Sequence, residues 1–100
     1  MNCALCSEKE CYKGKDCLKI KDEMKKLYQK NEITIIKNAA FIEAEYYMDK
    51  TRIEEIIIFS ERMNYEKLGL AFCIGLENET KEIYSIFKGH FKVYSACCKM

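Results

Sequence analysis

The sequence predicts an α/β fold: a cysteine-rich N-terminal loop, then helices, then a βαβ unit with parallel strands. Three observations predict it. Four cysteines crowd into "CALCSEKECYKGKDC", residues 3–17, which shows neither helical nor strand periodicity. From Leu18 to about residue 63 the apolar residues recur at helical spacing. After that, "KLGLAFCIGL", "ENETKEIYSIFK" and "FKVYSACC" read in turn as strand, helix and strand, the signature of a right-handed parallel crossover.

The chain has 100 residues, room for one small domain with little stability to spare. Its composition, 49% hydrophobic and 33% charged, is that of a globular protein rather than a disordered one. A net charge of +1 gives no whole-molecule field to attract nucleic acid or an acidic substrate. Eight lysines against four acidic residues between Lys9 and Lys30 read as the solvated face of a helix. No apolar stretch near Met1 resembles a secretory signal, and none approaches a membrane span. The expectation is a cytoplasmic chain with reduced thiols and no membrane partner, in which clustered cysteines serve metal or redox chemistry.

Two segments are expected: a metal-binding loop at 1–17 and an α/β domain at 18–100. The first helix is placed at about 18–30, where Ile20, Met24, Leu27 and Tyr28 form one apolar stripe. Asn31 breaks that run and could cap the next helix, at about 32–49. There Ile36, Ala40, Ala44 and Tyr47 line one face and Ile35, Ala39, Ile42 and Tyr46 another, so the helix should be central. Glu43, between those faces, is either an ion-pair partner of Arg52 or a lysine, or a buried general acid or base.

The third helix, at about 52–63, opens on a capping box, Thr51 with Glu54. It packs through Ile53, Ile56, Ile57 and Ser60, and Asn64 can end it in the left-handed conformation. The strand at about 67–74 is apolar or small on both faces, as in a sheet buried between layers. Gly75 then permits a sharp turn. The fourth helix, at about 78–88, points Ile83, Ile86 and Phe87 inward and stops at Gly89, and the second strand runs at about 91–97. A parallel sheet of two strands is incomplete by itself. Either neighbouring copies of the chain or a further C-terminal half would complete it.

The spacing Cys-x2-Cys-x4-Cys-x5-Cys supplies four thiolates, Cys3, Cys6, Cys11 and Cys17, enough for a tetrahedral site. Thiolates suit zinc or an iron–sulfur cluster, and the longer gaps depart from the bacterial ferredoxin pattern, so zinc leads. Cys73 and the pair Cys97–Cys98 fall at the carboxyl ends of the two strands, the edge where open α/β folds bind ligands. They could form a second thiol site, or pack as small apolar groups. Alternation sends Cys97 and Cys98 to opposite faces. His90, after Gly89, reads as a surface residue. No Ser–His–Asp set, Walker loop or Gly-x-Gly-x-x-Gly is present. The rivals to metal binding are a thiol redox enzyme using the strand-end cysteines and a nucleic-acid-binding module built on a zinc-knuckle-like loop.

"CALC", "AAFIEAEYY", "TRIEEII", "LGLAFCIGLENE" and "FKVYSACCK", in this order, resemble an uncharacterised prokaryotic family of cysteine-rich, presumed metal-binding proteins, domain of unknown function 1847. The resemblance implies that Cys3, Cys6, Cys11 and Cys17 are an N-terminal ligand cluster and that Cys73, Cys97 and Cys98 are the thiols of the βαβ portion. It also implies a protein about twice as long, of which this chain is similar to the amino-terminal half. It brings no activity with it.

Overall fold

The computed structural model describes residues 2–99; Met1 and Met100, the outer ends of the two expected segments, lie outside the described residues. The chain falls into two compact units, Met1–Ile33 and Thr34–Met100.

In the first unit two 3-10 turns, Cys3–Leu5 and Glu10–Lys13, are followed by a short helix α1, Lys21–Lys26. This helix is half the expected length, and polar groups set both of its ends. At its start Lys19 takes a left-handed φ of 57°, a conformation that interrupts a helix. The Asp16 carboxylate accepts from the N–H groups of Ile20 (3.3 Å) and Lys21 (2.7 Å). At the other end the Glu32 carboxylate accepts from the Gln29 N–H at 2.6 Å, the reach-back half of a capping box. Helix α2, Lys30–Tyr46, therefore starts after Gln29, and Asn31, the expected cap, lies within its first turn.

In the second unit α2 is not the central helix its two apolar faces predict. Ile42 is buried, but Ile35 on the same face and Ile36 and Tyr47 on the other are exposed, so neither apolar face is buried along its length. Helix α3, Arg52–Arg62, has both halves of the predicted capping box: Glu54 N–H to Thr51 Oγ1 at 3.3 Å and Thr51 N–H to Glu54 Oε2 at 2.7 Å. Asn64, at φ 57°, ends it as predicted. The Tyr65 N–H reaches the Ser60 carbonyl and the Asn64 N–H the Glu61 carbonyl, the paired bonds of a Schellman motif. Arg62 clamps α3 to α2. Its guanidinium lies 4.0 Å from the centre of the Phe41 ring, and its Nε donates to Asn38 Oδ1 at 3.0 Å.

Strands β1, Lys67–Phe72, and β2, Lys92–Cys97, pair in parallel with Phe72 opposite Cys97. Helix α4, Glu77–Phe87, crosses between them and packs on both. The fold class is thus mixed α/β with an open two-stranded parallel sheet. Leu68, Leu70 and Phe72 are half-buried while Lys67, Gly69 and Ala71 are exposed, so β1 is covered on one face where two were expected. Phe87, Phe91, Ile42 and Ser60 are the buried residues among those described. Ile86, expected inward, is 47% exposed. Strand β1 ends at Phe72 because Ile74–Leu76 close a 3-10 turn. Gly75 sits in that turn without a positive φ, so the bend does not need glycine. Among the described residues no helix is long and apolar enough to cross a membrane.

Candidate functional site

The four N-terminal cysteines line one cavity of about 360 Å³, with Asp16, Leu18 and Ile20 in its wall. Local backbone rules bring them there. Cys3 opens the first 3-10 turn and Cys6 closes it, the Cys6 N–H donating to the Cys3 carbonyl at 3.3 Å. Residues three apart eclipse in such a turn, so both thiols leave the chain on one side. The Lys9 ammonium donates to the same Cys3 carbonyl at 2.9 Å, tying the first turn to the second. Cys11 lies in the second turn, which Gly14 ends at φ 95° with its N–H on the Cys11 carbonyl at 2.9 Å. That reversal, together with the Lys15–Glu10 ion pair, returns the chain so that Cys17 joins the cavity.

Asp16 fixes the exit from the site. Its carboxyl is held below the usual range, first by the Lys21 N–H, then by the N–H groups of Ile20 and Lys19 and the Lys21 charge. All four cysteines are free and exposed. Among the described residues no three His, Cys, Asp or Glu side chains converge closely enough to share an ion. The donor set nevertheless suits a thiophilic metal. Four cysteines line one space within a stretch of fifteen residues, 3–17.

At the carboxyl edge of the sheet the structure separates the three other cysteines. Cys97 is half-buried and stands opposite Phe72 in the ladder. Cys73 and Cys98 are exposed. The Cys98 N–H donates to the Phe72 carbonyl at 2.8 Å, continuing the ladder one step past the strand ends. The Cys73 thiol is held below its ordinary pKa, first by the Gly75 N–H, then by the Cys98 thiol and the Ile74 N–H. The edge therefore gathers two thiols, not three. The alternation of Cys97 and Cys98 was readable in the sequence; which of them meets Cys73 depends on register, which was not.

Glu43 and His90 belong to neither group of cysteines. Glu43 is exposed and lines a larger cavity of about 570 Å³ with Tyr47, Lys50, Arg52 and Glu55. Arg52 pairs with Glu55 at 3.0 Å rather than with Glu43, because the two lie three residues apart on α3. His90 is on the surface as expected, its Nδ1 3.3 Å from Glu61 Oε1.

A family model described as a protein of unknown function (DUF1847) matches residues 11–100, a stretch that takes in Cys11, Cys17 and the strand-end cysteines and leaves out Cys3 and Cys6. The chain is 53% identical over 102 residues to an uncharacterized protein of Methanocaldococcus jannaschii, covering 100% of this chain and 53% of that relative. It thus spans about half the length of the curated relative it matches. No solved structure matches the chain.

Proposed function

This chain belongs to the DUF1847 family, proteins of unknown function, and on that premise we propose that it is a metal-binding protein whose ligands are Cys3, Cys6, Cys11 and Cys17. The observation that carries the reading is the single cavity lined by all four thiols. Zinc is favoured over an iron–sulfur cluster, because four thiolates on a segment of tight turns match the closed tetrahedral site of structural zinc. When bound, zinc supplies a tetrahedral node for a segment without a core of its own; among residues 2–33 only Asp16 is even partly buried.

The residues around the cavity have definable tasks. The cysteines must lose their protons to bind, and Lys9, which lines the cavity with its ammonium on the Cys3 carbonyl, offsets part of the negative charge that results. The first turn presents Cys3 and Cys6 as a chelating pair, and the Gly14 reversal sets the distance between Cys11 and Cys17. The setting that fits free thiols and thiolate ligands is a reducing compartment, the cytoplasm.

The test is elemental analysis of protein purified without air, counting zinc, iron and sulfide per chain. About one zinc per chain, lost in a Cys3→Ser/Cys6→Ser variant, is the expected result. Iron with matching sulfide would replace zinc by a cluster on the same thiols. A metal-free chain with all seven thiols titratable would overturn the reading.

A further inference from the structure

The two thiols at the sheet edge stand where neither the metal reading nor the family assigns a role. The β1–β2 register places Phe72 opposite Cys97. The bond from the Cys98 N–H to the Phe72 carbonyl carries the pairing one residue further. Cys73 and Cys98 are thus neighbours across a parallel ladder. Adjacent strands lie about 4.8 Å apart, within the Cα separation of about 4.4–6.8 Å that a disulfide requires. Paired positions in register also project to one side of a sheet, so the two thiols leave the ladder on the same side. Both residues are exposed, so a small reactant can reach them, whereas Cys97 is half-buried in the preceding pair.

We propose that Cys73 and Cys98 form a redox-active dithiol that exchanges with small-molecule disulfides, Cys73 attacking and Cys98 resolving. The Cys73 thiolate attacks one sulfur of a disulfide RSSR; the S–S bond breaks and RS⁻ leaves, giving a mixed disulfide on Cys73. Cys98 gives its proton to solvent, and its sulfur attacks the Cys73 sulfur, expelling the second RS⁻. The chain ends with a Cys73–Cys98 bond, two electrons pass to the reactant, and the two protons released by the cysteines end on the two RS⁻ as RSH. The N–H groups of Ile74 and Gly75, at the turn leading into α4, favour Cys73 as the attacking sulfur. The exchange as written uses none of the N-terminal cysteines.

The test equilibrates the full chain in glutathione buffers of graded potential, alkylates the remaining thiols with iodoacetamide, and analyses tryptic peptides by mass spectrometry. The expected product links peptides 68–81 and 93–99. It persists in Cys97→Ser and in Cys3→Ser/Cys6→Ser, and disappears in Cys98→Ser. In reduced protein at neutral pH, Cys73 should alkylate about tenfold faster than Cys97. Linkage through Cys97, no linkage at any potential, or a Cys73 no faster than Cys97 would each overturn the proposal. Because Cys97→Ser leaves the proposed pair intact, a folding defect in Cys98→Ser does not rescue the idea.

Discussion

Replacing Gly14 by alanine should weaken metal binding without removing a ligand. Gly14 holds φ 95° and ψ 4° at the end of the second 3-10 turn. A methyl group added there meets nothing within 4 Å, so the penalty is backbone strain alone. Holding an L-residue in that region costs about 1–2 kcal/mol. The segment has no buried residue to absorb the strain elsewhere, and ordering of such a segment is coupled to metal binding. The cost should therefore appear in the binding constant, as a loss of roughly 5- to 30-fold in affinity. Zinc competition against a chromophoric chelator, wild type beside Gly14→Ala, measures it. An affinity within about twofold of wild type would show that the bound loop does not use this turn. A loss beyond about a hundredfold would mean that the substitution removes a ligand rather than straining a bend.

Three further expectations follow from the fold. Thr51→Ala removes one half of the capping box and should cost about 1 kcal/mol, seen as a fall in Tm of roughly 4–8 °C; an unchanged Tm would mean the cap is not formed in solution. Phe87→Ala empties the position that is 3% exposed and should cost about 3–5 kcal/mol, a large share of a small domain's stability, measurable by urea unfolding; a cost under about 1 kcal/mol would place the core elsewhere. The Asp16 carboxyl is depressed in the folded chain, so its stabilisation is present above the unfolded value of about 3.9 and is lost as pH falls through the lower folded value. A carboxyl NMR titration with a midpoint at or above about 3.9 would contradict the Asp16 bonds to Ile20 and Lys21.

What could be read from the sequence is what local chemistry decides. Thr51 and Glu54 make a capping box and Asn64 a left-handed stop because each acts within its own turn. The strand–helix–strand order likewise implies a parallel pair, which is observed. The misreadings arose where a side chain reached across an apparent boundary. Asp16 and Lys19 delay α1, and Glu32 reaches back to Gln29, shortening a helix whose apolar spacing looked continuous. Apolar spacing also says that a face is suited to burial, not that something buries it, and α2 has two such faces with only Ile42 buried. For the thiols, clustering of Cys3 to Cys17 was visible as spacing, whereas the meeting of Cys73 with Cys98 needed the inter-strand register.

The sheet has a consequence for how this architecture can grow. Among the described residues β1 and β2 pair only with each other, so each has one flank that no described strand occupies. Strands can be added on either flank without breaking an existing bond, and a crossover helix would reach them with the same hand. The corner where Cys73 meets Cys98 is set by the inner pair alone. A lineage could widen this sheet repeatedly, changing size, surface and neighbours, and inherit that corner unchanged at its centre.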